Sequence, residues 1–128
     1  MKALIILAHG SRRLESNQEI YSLTEEVRKK ARDYFKIIKY AFLELTEPQL
    51  LTVIDEIMDK DVEEITVLPY FLNSGNHVKQ DVPEIIDAAI EKYPKCRFTI
   101  TSCIGMNEGM AGLILSHVLN TDSLPPLE

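Results

Sequence analysis

Two histidines each follow an apolar run that is typical of a buried β-strand. His9 comes directly after the run at residues 3–8, and His77 follows the run at residues 65–69 across a short loop. If the two strands are parallel neighbours, both histidines lie at the carboxyl edge of one sheet, where open α/β folds bind their ligands. Imidazole binds divalent metals and exchanges protons near neutral pH. The pair therefore indicates a metal site or a proton-transfer site at that edge.

Four strand-like runs alternate with four helical patterns, which indicates a parallel sheet built from βαβ units. The predicted strands cover residues 2–8, 37–43, 64–69 and 97–101. The first and fourth predicted helices cover residues 14–34 and 108–120, and the second and third begin at residues 46 and 81. We expect an α/β fold in which helices flank a doubly wound, four-stranded parallel sheet.

The strand order that is commonest in small doubly wound folds, 2-1-3-4, adds a third residue to the histidine pair. In this order strand one lies between strands two and three, so Glu44, which follows strand two, becomes a neighbour of His9 and His77. Two imidazoles and one carboxylate suit a late first-row divalent metal and leave coordination positions open. Ser11 is equally consistent with helix capping and with ligand binding, and Gly75 with a turn of positive φ.

Two helix starts carry a capping-box pattern with a proline in the first turn. Thr46 pairs with Gln49 in the second helix, and Asp81 pairs with Glu84 in the third. The stripes predicted to face the sheet are Ile20, Leu23, Val27 and Ala31 in the first helix, Leu50, Ile54, Ile57 and Met58 in the second, and Ile85, Ile86, Ala89 and Ile90 in the third. The fourth helix has apolar residues beyond one stripe, which indicates contact with a partner, and we expect a homodimer.

Length and composition place the chain among ordinary globular proteins. We expect one domain over residues 1–120 and a disordered tail over 121–128, whose last two residues resemble a cloning remnant. The run at the start lacks the layout of a secretory signal and no apolar run is long enough to span a membrane, so we expect a cytoplasmic protein. Cys96 and Cys103 lack CxxC spacing and are expected to be reduced, packed thiols.

Charge and missing motifs exclude several classes of partner. The net charge of −6 argues against nucleic acid, because phosphate neutralisation needs a basic face. Neither a G-x-x-x-x-G-K-[ST] phosphate loop nor a G-x-G-x-x-G motif after the first strand is present, so nucleotide chemistry is not expected. Arg12, Arg13 and Lys79 lie beside the histidine loops and make that mouth locally positive, which suits an anionic small molecule.

Three segments carry a family resemblance. They are LAHGSR at residues 7–12, AFLE at residues 41–44 and LPYFLNSGNHV at residues 68–78. The chain resembles the short CbiX proteins, sirohydrochlorin chelatases related to SirB, from the first strand to the fourth helix. The third segment is the most specific of the three.

The resemblance implies an ATP-independent chelatase that inserts a divalent metal into sirohydrochlorin, an anionic reduced tetrapyrrole. Cobalt is the first choice of metal, with nickel and iron as alternatives. The resemblance assigns metal binding or proton acceptance to His9 and His77, with Glu44 beside them. It also implies a homodimer, because longer members contain two such halves. The residues expected to hold the carboxylates of the substrate are Ser11, Arg12, Ser74, Gly75 and Lys79.

Two other readings stay open at the level of the sequence. The same histidines permit a non-catalytic carrier of metal or tetrapyrrole. Histidine phosphatases also place a His-Gly pair after their first strand, but an arginine precedes their histidine, whereas Ala8 precedes His9 here.

Overall fold

A four-stranded parallel sheet in the order β2-β1-β3-β4 organises the fold. The computed structural model describes residues 1–31 and 33–120, apart from the side chains of Asn76 and His77. The strands are β1 (Lys2–Ala8), β2 (Ile37–Phe42), β3 (Glu64–Pro69) and β4 (Arg97–Ile100). The predicted fold class and strand order are confirmed. The predicted tail at 121–128 lies outside the described residues.

Four α-helices and a short 3₁₀ turn connect and flank the strands. They are α1 (Leu14–Ala31), α2 (Leu50–Met58), α3 (Asn76–Lys92), the 3₁₀ turn Ile104–Met106, and α4 (Met110–Leu119). Each parallel pairing needs a crossover, and α1, α2 and α3 lie in the connections between successive strands. None of the helices within the described residues is long and apolar enough to cross a membrane.

The core forms on both faces of β1, the strand that lies between β2 and β3. Ile5, Ile6 and Leu7 are essentially inaccessible to water. The larger cluster packs this sheet against α2 and α3, and a smaller one joins Ala8 to Ile20 and Phe42. β4 is an edge strand, and three of its four residues are exposed. β1 is therefore buried on both faces, whereas most of β4 is exposed.

The second helix begins later than its capping-box pattern predicts. α2 starts at Leu50, and its N-cap Gln49 makes no side-chain capping bond. The Phe42 amide donates to the Pro48 carbonyl at 2.8 Å, and Phe42 forms an isolated parallel bridge with Gln49. Residues 46–48 therefore run beside the end of β2, and Thr46 does not cap the helix.

The third helix begins earlier than predicted, directly after Gly75. Asp81 and Glu84 consequently lie inside α3 and form no capping box. The inward apolar stripe of α3 starts before the predicted cap, because Val78 is half-buried and Val82, one turn later, is fully buried. His77 therefore belongs to the first turn of α3 and not to the preceding loop.

The predicted inward stripes need two corrections. In α1 the fully buried residues are Asn17, Ile20 and Thr24, whereas the predicted Leu23, Val27 and Ala31 are only half-buried. The Thr24 hydroxyl donates to the Ile20 carbonyl at 2.8 Å, which satisfies this polar group in the core. In α3, Ile90 is 44% exposed, because it lies about 100° around the helix from the buried Ala89.

The fourth helix contributes no buried residue within the described structure. Its large apolar side chains are more than half exposed, namely Leu113, Ile114, Leu115, Val118 and Leu119. Such a contiguous apolar surface is uncommon on an isolated soluble domain.

A polar contact joins the end of α3 to α2. The Tyr93 hydroxyl donates to Asp55 Oδ1 at 2.5 Å, and the Lys92 ammonium donates to the same oxygen at 3.0 Å. The hydrogen bond from Tyr93, followed by the one from Lys92, lowers the pKa of Asp55 below its ordinary 3.8. The ionised carboxylate is thus favoured in the folded protein.

We expect Tyr93→Phe to lower the melting temperature at neutral pH. A lowered folded-state pKa gives a stabilisation that is complete above pH 3.8 and is lost as the pH falls through the folded value. The difference between wild type and variant should therefore shrink in acid. Thermal melts followed by circular dichroism between pH 7 and pH 2 test this, with the exposed Tyr34→Phe as control. A difference that is the same at every pH would contradict the expectation.

Candidate functional site

The carboxyl edge of the sheet brings His9 and Glu44 into contact. Backbone pairing between β1 and β2 continues past both strand ends, because the Leu43 amide donates to Ala8 at 2.9 Å and the Glu44 amide to His9 at 3.0 Å. Both side chains therefore leave the edge at the same level. His9 Nε2 lies 2.9 Å from Glu44 Oε1. This is the juxtaposition that the strand order predicts.

Gly10 makes the close approach of these two loops possible. Its φ is +98°, and a Cβ added there would lie 1.9 Å from the Glu44 carbonyl oxygen. A side chain would therefore push the loop that carries His9 away from the loop that carries Glu44. Gly75 differs from its predicted role, since its φ is −86° and it serves as the N-cap of α3.

Asn17 is a buried residue at this site that sequence reasoning missed. Its side-chain amide donates to the Ser11 carbonyl at 2.8 Å, and its Oδ1 accepts from the Ser11 amide at 3.1 Å. Ser11 Oγ in turn accepts from the Arg13 amide at 3.0 Å. Of the two predicted roles of Ser11, the geometry favours the local one, at the entrance to α1. The only sequence signal was a polar residue three positions before Ile20 on the inner stripe.

The loop after β3 lines the other side of His9. The Tyr70 amide donates to the Leu7 carbonyl at 2.7 Å, which attaches this loop to β1. The ring of Phe71 then meets the His9 imidazole edge-on, with centroids 6.2 Å apart and planes at 86°. Sequence reasoning singled out neither residue, because both contacts depend on the pairing of β3 with β1.

Gly105 joins the end of β4 to the same loop. Its amide donates to the Phe71 carbonyl at 3.0 Å, and a Cβ at this position would lie 1.7 Å from the Leu72 carbonyl oxygen. Only a glycine allows the two backbones to pack this closely. No sequence pattern indicates this contact, which joins segments more than thirty residues apart.

The remaining predicted site residues lie on segments that adjoin the pair. Ser74, Gly75 and Lys79 are exposed on the loop after β3 and the first turns of α3, and Arg12 is exposed beside Ser11. The backbone of His77 is in the first turn of α3, and its side chain lies outside the described residues. That the His77 side chain completes a group with His9 and Glu44 stays a prediction.

The arrangement offers nitrogen and oxygen donors on an open surface. The side chains of His9 and Glu44 are 46% and 47% exposed. Imidazole and carboxylate together suit divalent first-row metals and also suit proton transfer. Among the side chains that the structure describes, which exclude His77, no group of three or more His, Cys, Asp or Glu is placed to hold a metal ion. Cys96 and Cys103 are buried free thiols.

Comparison with known proteins gives consistent matches. The family described as CbiX matches residues 3–121. A sirohydrochlorin cobaltochelatase of Methanococcus maripaludis is 33% identical over 67% of this chain and 58% of its own. A sirohydrochlorin ferrochelatase of Bacillus subtilis is 31% identical over 84% of this chain and 40% of its own.

A solved structure extends these matches to the fold. The sirohydrochlorin chelatase SirB from Bacillus subtilis subspecies spizizenii, in complex with cobalt, superposes with a TM-score of 0.81 at 28% identity. The match covers 93% of this chain and 50% of SirB. The chain thus spans between two fifths and three fifths of the length of these three proteins.

We expect Gly10→Ala to destabilise the protein. A left-handed backbone conformation costs a non-glycine residue about 1–2 kcal/mol, and the contact with the Glu44 carbonyl adds to this. Urea denaturation measures the loss. Gly112→Ala is the matched control, because a Cβ there meets nothing within 4 Å and alanine favours a helix. Equal stability of Gly10→Ala and wild type would contradict this account of the loop.

Proposed function

Because this chain belongs to the CbiX family, we propose that it inserts a divalent metal ion into sirohydrochlorin without ATP. The observation that carries the proposal is the contact between His9 Nε2 and Glu44 Oε1 at the ends of adjacent parallel strands. Relatives named as sirohydrochlorin chelatases support the choice of substrate. The domain that performs the reaction covers residues 1–120, and we place it in the cytoplasm.

Metal insertion requires that two pyrrole protons leave while the ion exchanges its water for ring nitrogens. Each step needs a ligand or base held at a fixed position. His9 and Glu44 supply an imidazole and a carboxylate for these steps, and His77 is the third member by the family resemblance.

The substrate carboxylates fit the charges around the pair. Arg12 and Lys79 are exposed cations beside the site loops, and both are suited to charge-assisted hydrogen bonds with carboxylates. The amides around Ser74 and Gly75 add neutral donors. The amide of Ser11 is excluded from this set, because it already donates to Asn17.

A homodimer completes the proposed enzyme. His9 and Glu44 stand on an open surface, whereas a flat macrocycle needs cover on both faces if water is to be excluded during proton transfer. The exposed apolar residues of α4 provide surface for a second copy. SirB, half of which corresponds to this chain, supports an arrangement of two such units.

Cobalt is the metal that we propose as physiological substrate. Imidazole and carboxylate donors accept Co²⁺, Ni²⁺ and Fe²⁺, so the donor set alone does not select the ion. The relative from Methanococcus maripaludis is named for cobalt and the one from Bacillus subtilis for iron. Rates with each ion at equal concentration decide between them.

We expect the protein to catalyse cobalt insertion into sirohydrochlorin, followed by the change in visible absorption. His9→Ala, His77→Ala and Glu44→Gln should each lower the rate about 100-fold or more, the range of a lost general base. Glu47→Gln, an exposed carboxylate three residues further on, should keep the wild-type rate. Stoichiometric binding with no rate above the spontaneous reaction would refute the chelatase and establish a carrier.

We expect wild type to have the solution mass of a dimer in light scattering. Ile114→Glu and Leu115→Glu place a charge on the exposed surface of α4 and should yield monomers, because an unpaired charge is costly to bury. Leu51→Glu on the outer side of α2 should leave the mass unchanged. A monomeric wild type, or a dimer that survives both substitutions, would refute the α4 interface.

A further inference from the structure

A second group of exposed apolar side chains, besides the group on α4, lies on the loop after β3 and on the 3₁₀ turn. Leu72 is 72% exposed, Met106 64% and Tyr70 41%. The half-buried Phe71 and Ile104 lie between them, and a hollow of about 210 Å³ is lined by Tyr70, Phe71, Leu72 and Ile104. We call these five residues the apolar shelf.

The apolar shelf is held in place by backbone contacts. The Phe71 carbonyl accepts from the Gly105 amide, and the Leu72 carbonyl packs where a Cβ of residue 105 would otherwise be. The Tyr70 amide is bonded to Leu7 in the central strand. The shelf is therefore a preformed surface, and binding to it does not require the loop to be ordered first.

The shelf is continuous with the proposed metal-handling pair. Phe71 meets the His9 ring edge-on, so the shelf begins directly beside the imidazole. A macrocycle whose centre lies over His9 extends over the neighbouring surface. That surface includes the shelf and the segment directly after His9, which carries the exposed Arg12 and Arg13.

We infer that the apolar shelf supports one face of the tetrapyrrole ring, with Leu72 and Met106 as positioning residues. The inference rests on the proposed function. The ring has an apolar face and an anionic rim, and the surface around His9 divides in the same way, into apolar side chains and cations. A rigid apolar surface next to a charged one binds a ligand of this kind by covering its face and pairing its rim.

The shelf contributes to ring binding and orientation, and it takes no part in proton transfer. Its side chains carry no group that titrates near neutral pH and no strong metal ligand. Substitutions there should weaken binding of the ring while the pair His9 and Glu44 keeps its geometry. The signature is a raised KM with an unchanged kcat.

The test is the double variant Leu72→Ser with Met106→Ser. Its Kd for metal-free sirohydrochlorin, from absorption titration, and its KM should rise about tenfold or more, as expected from two lost apolar contacts. The kcat with saturating sirohydrochlorin and the affinity for Co²⁺ alone should stay within about twofold of wild type. Leu72→Met with Met106→Leu should restore the affinity. Tyr34→Ser, 74% exposed at the end of α1, should have no effect.

The outcomes separate the two proposals. A wild type that neither binds nor converts sirohydrochlorin refutes the proposed function and the shelf together. An active wild type with unchanged Kd and KM in the double variant refutes the shelf alone. A double variant that loses the dimer in light scattering shows that the shelf contacts a second copy, and this also overturns the inference.

Discussion

The hydrogen bond from the Glu44 amide to the His9 carbonyl is the constraint on which the site depends. It extends the β1–β2 ladder one step beyond the strands and sets two side chains at the same height. The neighbouring residues of the His9 loop are compatible with this bond. Gly10 has the only kind of backbone that fits beside the Glu44 carbonyl, and Asn17 fixes the chain that follows it. A loop without these two residues would not hold the histidine against a carboxylate from another strand.

Strand order and the position of His9 beside Glu44 were accessible from the sequence, because buried parallel strands have a strong pattern and end at a common edge. Helix starts were less accessible. The cap signals at Thr46 and Asp81 are local. At α2 the bridge between Phe42 and Gln49 delays the start of the helix, and at α3 the apolar stripe extends through Val78 and moves the start earlier. Local propensity is a weak guide wherever tertiary contacts compete with it.

The parts of the site that could not be predicted are those that depend on close packing between distant segments. Asn17 is polar and would be assigned to the surface, yet it is only 4% exposed. Its burial is tolerated because the nitrogen and the oxygen of its side-chain amide are both hydrogen-bonded to Ser11. Gly105 and Leu72 approach each other only because β3 and β4 are paired. Such contacts are properties of the assembled sheet and leave no periodicity in either segment.

The His9 loop and the loop after β3 each have backbone or side-chain anchors of their own. Asn17 and Gly10 secure the His9 loop to α1 and to the end of β2, whereas Gly105 secures the β3 loop to the end of β4. We therefore expect a change of side chain at Leu72 or Met106 to leave the histidine and its carboxylate in place. In evolutionary terms, the proposed function assigns ion handling and ring recognition to separate parts of this fold. Under that proposal, new ring preferences can arise by substitution on one loop while the metal chemistry is inherited intact.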